Sequence, residues 1–154
     1  MAVQEDYILR LIAMLGEFLR QVTDLRAAGK HEQAMVVLMQ AQEKLFGGPF
    51  PEIAALSLDE QLQRLSAGFS AKEARERQIG YALLLKEAGI CYAYRGNAEL
   101  AAGAFKMALH IVLGRMAAGE AADGDLVRLS GELLASIPPE QIDPPLKELL
   151  ENAR

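Results

Sequence analysis

The chain has 154 residues, 51% of them apolar, a net charge of −5 and a pI near 5.1. That is long enough for one domain with its own core and too apolar for disorder. Lys and Arg never gather into a block, so the counterion release that drives nucleic-acid binding has no source here.

Cys91 is the only cysteine, which excludes an intramolecular disulfide and any Cys-x-x-Cys metal or redox motif and fits a reducing cytoplasm. Near the N-terminus Glu5 and Asp6 stand where an export signal needs basic residues, and Arg10 and Glu17 interrupt the apolar run, so neither export nor membrane insertion is expected. β-branched residues are scattered and Trp is absent, which leaves an all-α chain as the expectation.

From Tyr7 to Leu25 the residues Ile8, Leu11, Ile12, Leu15, Phe18, Leu19, Val22 and Leu25 recur three and four apart, the period of an amphipathic helix. Gly29 closes this helix, and Ala34, Leu38, Ala41 and Leu45 continue the period to Phe46, so residues 4–46 form a helical hairpin. Tyr7, Leu9 and Met14 widen the first helix's stripe beyond what one partner helix covers. That surface is expected to meet either the C-terminal helices of its own chain or a second copy in a homodimer. Met35 and Met39 read as fillers of core gaps.

Gly47-Gly48-Pro49-Phe50-Pro51 predicts a loop, because the prolines lack a donor and restrict their predecessors. Ser57 to Glu60 and Ser70 to Glu73 both fit a capping box, which places an insert helix over 57–67 and the start of another at 71. The mixed run Lys72 to Arg77 reads as a solvated face on which Glu73 and Arg77 pair four residues apart.

The helix opening at Ala71 is expected to reach Arg95. Gly96 closes it, and Asn97 caps the next helix, with Leu100, Ala101, Ala104, Phe105, Ala108, Leu109 and Val112 on its inward side. Residues 71–118 thus form a second hairpin. Gly119 to Gly124 predicts a turn. Leu126, Leu129, Leu133 and Ile137 then line a helix that Pro138-Pro139 ends, and Asp143 with Pro144 starts a short last helix, so 123–154 reads as C-terminal capping helices. The count is seven helices in one domain spanning 1–154.

In tetratricopeptide repeats, a large apolar residue, a Gly one turn on and an aromatic are followed by a turn Gly, an Ala, a large aromatic and a second Ala. Leu85, Gly89, Tyr92, Gly96, Ala101, Phe105 and Ala108 have that order and spacing, so this segment resembles one such repeat of roughly 34 residues. Small residues at 89, 101 and 108 allow two helices to approach closely, with Tyr92 and Phe105 filling the space beside them. Phe18, Leu25, Gly29, Ala34, Leu38 and Ala41 form a weaker copy, with Val22 where the small Gly belongs. The opening E-D-Y-I-L-R-L-I also resembles the start of a small bacterial family with such repeats, which implies no activity.

The resemblance implies a right-handed α-α superhelix of antiparallel hairpins that binds a protein or peptide partner, without catalysis, cofactor or metal. Its ligands lie on the face formed by first helices, here Leu19, Thr23 and Arg26 with Lys86, Ile90, Ala93 and Tyr94; Arg26, Lys86, Ile90 and Tyr94 are the candidate partner-binding residues. Two readings of this face stay open: a peptide groove, or a core filled by the last helices, which would bury Ile90 and Tyr94. Repeats that clamp a C-terminal carboxylate place Asn one turn after Lys, whereas Lys86 is followed by Ile90, so a chaperone-tail clamp is not expected. Lys86 with Arg26 could still attract an acidic segment.

Cys91 and His110 lie on helices inside the packing motif, which reads as an inert thiol and an ordinary imidazole instead of a nucleophile and base. His31 is a helix-start residue without ligand spacing to His110. Gly114 to Glu120 spaces two glycines like a phosphate loop but lacks the Lys and the hydroxyl. The alternative function is a small-molecule receptor or enzyme with a pocket between the hairpins and the C-terminal helices.

Overall fold

The computed structural model describes residues 2–153, with burial described from Glu5 onward. Among these the chain is all-helical, with eight α-helices: α1 (Ala2–Ala27), α2 (His31–Phe46), α3 (Phe50–Ala54), α4 (Leu58–Ser66), α5 (Ala71–Tyr94), α6 (Ala98–Arg115), α7 (Gly124–Ala135) and α8 (Pro144–Asn152). After α6 the chain continues through Met116 to a break at Gly119, whose φ is 115°, and a 3₁₀ turn, Pro139–Gln141, precedes α8.

Helix boundaries follow local chemistry. The Ser57 oxygen accepts from Glu60 N–H while the Glu60 carboxylate accepts from Ser57 N–H, a complete capping box. Asn97 accepts from Leu100 N–H at 3.2 Å, and Asp143 from Leu146 N–H at 3.1 Å. Gly29 and Gly96, at φ 77° and 78°, take the left-handed conformation that turns α1 into α2 and α5 into α6.

The eighth helix is α3, where the sequence predicts only a loop. Pro49 stands at its cap and Pro51 in its first turn, where a missing N–H leaves nothing unbonded, and the Glu43 carboxylate accepts from Phe50 N–H at 3.0 Å.

α5 is the axis of the fold, in contact with α1, α2, α4 and α6, while α7 and α8 pack on α6. A Cβ on Gly80 would overlap the Leu15 side chain, and Arg26 bonds Glu87, so contacts advance along α1 and α5 in the same direction and the two helices run parallel. α6 is apolar nearly all round. It belongs to the one stretch among the described residues, Ala98–Glu120, long and apolar enough to cross a bilayer; 56% of that apolar window is buried inside the fold.

The run Lys72 to Arg77 is not a solvated face. Glu73 and Arg77 are 6% and 8% exposed, because α5 is wrapped by its neighbours at this level. The pair forms at 3.6 Å, the Arg77 guanidinium donates to the Leu45 carbonyl at 2.6 Å, and it lies over the Phe69 ring at 3.9 Å. Ser70 still accepts from Glu73 N–H, but the Glu73 carboxylate turns inward to Arg77 instead of completing the box. Arg75 reaches Glu76, Glu120 and Asp123, tying α5 to the turn after α6. Three inward assignments also change: Ile12 is 42% exposed, Met39 38% and Leu100 50%.

Candidate functional site

The repeat-spaced residues of α5 and α6 meet across the hairpin. Leu85, Gly89, Ala101, Phe105 and Ala108 are buried, Tyr92 is half-buried, and Gly96 makes the turn. Gly89 lies against the Phe105 ring.

On the side of α1 and α5 away from α2 is an apolar face. Leu9, Ile12, Gly16, Leu19 and Thr23 recur three and four apart along α1, next to its buried stripe of Ile8, Leu11, Leu15 and Val22. Ile79, Leu83, Lys86 and Ile90 form the corresponding half-buried stripe of α5. Leu9 is 63% exposed, and the C-terminal helices, held on α6, leave it and Tyr7 in solvent. Gly16 sits mid-helix on this face with nothing within 4 Å of where its Cβ would be.

Of the residues singled out from sequence, Ile90 lies in this face. Arg26 bonds Glu87 at 3.1 Å across α1 and α5, and Lys86 bonds Glu132 of α7 at 2.7 Å, so neither cation stands free to attract an acidic segment. The Lys86 hydrogen bond holds the Glu132 carboxyl below its ordinary range. The Thr23 hydroxyl donates to the Leu19 carbonyl, and Ala93 is exposed. Tyr94 is 71% exposed and stacks on His31, ring centroids 3.7 Å apart, at the end of the face instead of in its floor. The last helices therefore do not make Tyr94 core. α7 forms a third wall, enclosing with α5 a shallow cleft of about 570 Å³ between Leu83 and Arg128.

A larger cleft, about 780 Å³, was not legible in the sequence. It lies between α3, α4 and the α5–α6 hairpin, with Gln42 of α2 and Gln141 contributing. The Tyr81 hydroxyl donates to the Gln61 amide oxygen at 2.7 Å, and the Gln61 nitrogen donates to the Ile53 carbonyl at 3.0 Å, which fixes the insert helices on α5. Burial pushes the Tyr81 hydroxyl well above its ordinary range, so it is a neutral donor.

Cys91 is fully buried, and burial, with the Glu87 charge second, pushes its thiol up. This disfavours the thiolate that a nucleophile requires. His110 is half-buried on α6.

No protein-family model, no curated protein and no solved structure matches this chain.

Proposed function

We propose that the chain is a non-catalytic, cytoplasmic protein-binding module of the tetratricopeptide type, whose partner docks on the apolar face of α1 and α5. The observation that carries this reading is the exposure of Leu9 and Ile12, 63% and 42%, beside the half-buried Leu19, Ile79, Leu83 and Ile90. Contiguous apolar surface of this kind marks interaction sites.

Three features support the repeat architecture. α1 runs parallel to α5, α5 touches both helices of the first hairpin, and α7 follows on α6 as a third first helix would. Such stacking builds a right-handed superhelix with first helices lining the inner face. Gly16 supports the docking face: a mid-helix Gly costs about 1 kcal/mol relative to Ala, and no neighbour in the chain needs its small size. The open space before it leaves room for a partner's backbone on this face.

The test compares a tagged chain with its Leu9→Glu/Ile12→Glu variant, with helical melting measured on both. Both side chains are exposed, so the fold is expected to persist. A partner retained by the parent and lost by the folded variant supports the docking face; identical captured proteins reject it. The same face fits a second copy around a two-fold axis, and light scattering up to high micromolar concentration decides this: a strict monomer restricts the face to a foreign partner.

A further inference from the structure

Gln42 is 6% exposed and lines the cleft of about 780 Å³, yet its amide makes no hydrogen bond with any described residue. Its amide atoms are not among the enclosed unpaired ones, so they stay open to the cleft and keep their donor and acceptor for whatever fills it. The neighbouring buried amide, Gln61, shows the usual outcome: its oxygen and nitrogen are both bonded within the chain. Gln42 therefore presents an unused donor and an unused acceptor to the cleft.

The remaining lining is largely apolar, including Leu85, Leu100 and Met107, and the volume falls in the range of small-molecule sites, about 300–1,000 Å³. The charged lining side chains are Glu99, exposed, and Lys106, which lies 3.7 Å from Asp143. Neither is a buried, unpaired charge that would hold an anionic head. Gly103 belongs to the lining from mid-α6, and a Cβ there would meet nothing within 4 Å. A helical Gly with open space before it keeps volume in the cleft that any larger residue would fill.

We infer that this cleft binds a neutral, predominantly apolar small molecule through one carboxamide-like head group, which pairs donor to acceptor and acceptor to donor with Gln42. The apolar body lies along Leu85, Gly103 and Met107. The site is independent of the α1–α5 docking face and uses different residues.

The probe is N-phenyl-1-naphthylamine, a neutral dye that brightens in apolar sites, displaced by decanamide or by decanoate at neutral pH. The expected result is probe binding by the parent chain, loss of it in Gly103→Leu with an undiminished melting temperature, and displacement by decanamide about tenfold better than by decanoate. Gln42→Leu is expected to keep the probe and to erase that preference. Absence of probe binding, full binding by folded Gly103→Leu, or an amide preference unchanged by Gln42→Leu each overturns the assignment. Loss of binding only in Leu9→Glu/Ile12→Glu places the probe on the other face and equally overturns it, whereas failure of that variant to lose a protein partner bears on the docking face alone.

Discussion

Gly89 lies flat against the Phe105 ring: a Cβ built on it would stand 2.6 Å from Cε1 and 2.8 Å from Cδ1 and Cζ. Phe105 is itself 6% exposed and held in the α5–α6 seam, so the ring cannot give way without moving a helix. Gly89→Ala gains about 1 kcal/mol of helix propensity and is expected to lose more than that to overpacking. Gly89→Leu is expected to unfold the domain or come close to it. Gly103→Ala is the control, since open space there leaves only the propensity gain of about 1 kcal/mol. Urea unfolding of the three variants checks the ordering, and a Gly89→Ala protein as stable as Gly103→Ala contradicts the close approach.

Arg77 and Glu73 make a second test, because both are buried and each has the other as its charge partner. Arg77→Ala leaves the Glu73 carboxylate inside the fold without its cation and the Leu45 carbonyl without its donor, a loss of about 3–5 kcal/mol. Replacing both, Glu73→Gln with Arg77→Met, is expected to be milder than the single change, since no charge is stranded. Equilibrium unfolding resolves the difference, and a double variant weaker than Arg77→Ala sinks this account.

The Cys91 thiol offers a pH-dependent readout. Its pKa is higher in the folded chain than in the unfolded one, first by burial and then by the Glu87 charge. Its contribution to stability is therefore full below the unfolded value and declines as pH rises through the folded one. Labelling by a thiol reagent at pH 8 is expected to proceed at the rate of chain opening and to accelerate on adding denaturant. Fast labelling of the native chain, independent of denaturant, contradicts the burial of Cys91.

These sites differ in how much the sequence discloses. Caps at Ser57, Asn97 and Asp143 are legible because a cap is made within four residues, and Gly29 and Gly96 are legible because a left-handed turn demands them. α3 is not, since five residues with two adjoining prolines carry no helical period. Lys72 to Arg77 misleads because mixed charge looks solvated until α2 and α4 are placed around it. The larger cleft needs Gln42, Gln61, Tyr81 and Gly103 from four helices at once, a juxtaposition that no local pattern encodes. Leu9 announces excess apolar surface along α1, but which helix leaves it uncovered is decided by α7 and α8 choosing α6.

Gln61 ties the cleft's outer wall to its floor, so its removal separates local from global stability. Gln61→Leu strands the Tyr81 hydroxyl and frees the Ile53 and Leu56 carbonyls, at a cost of about 1–3 kcal/mol for a buried group left unpaired. α3 and α4 bear most of that change, because α5 and α6 remain sealed by the Gly89 and Phe105 contact. Amide hydrogen exchange is expected to quicken across residues 50–66 while α5 and α6 keep their protection. Uniform acceleration through the whole chain contradicts a wall that opens by itself, and unchanged exchange contradicts the role given to the Gln61 amide.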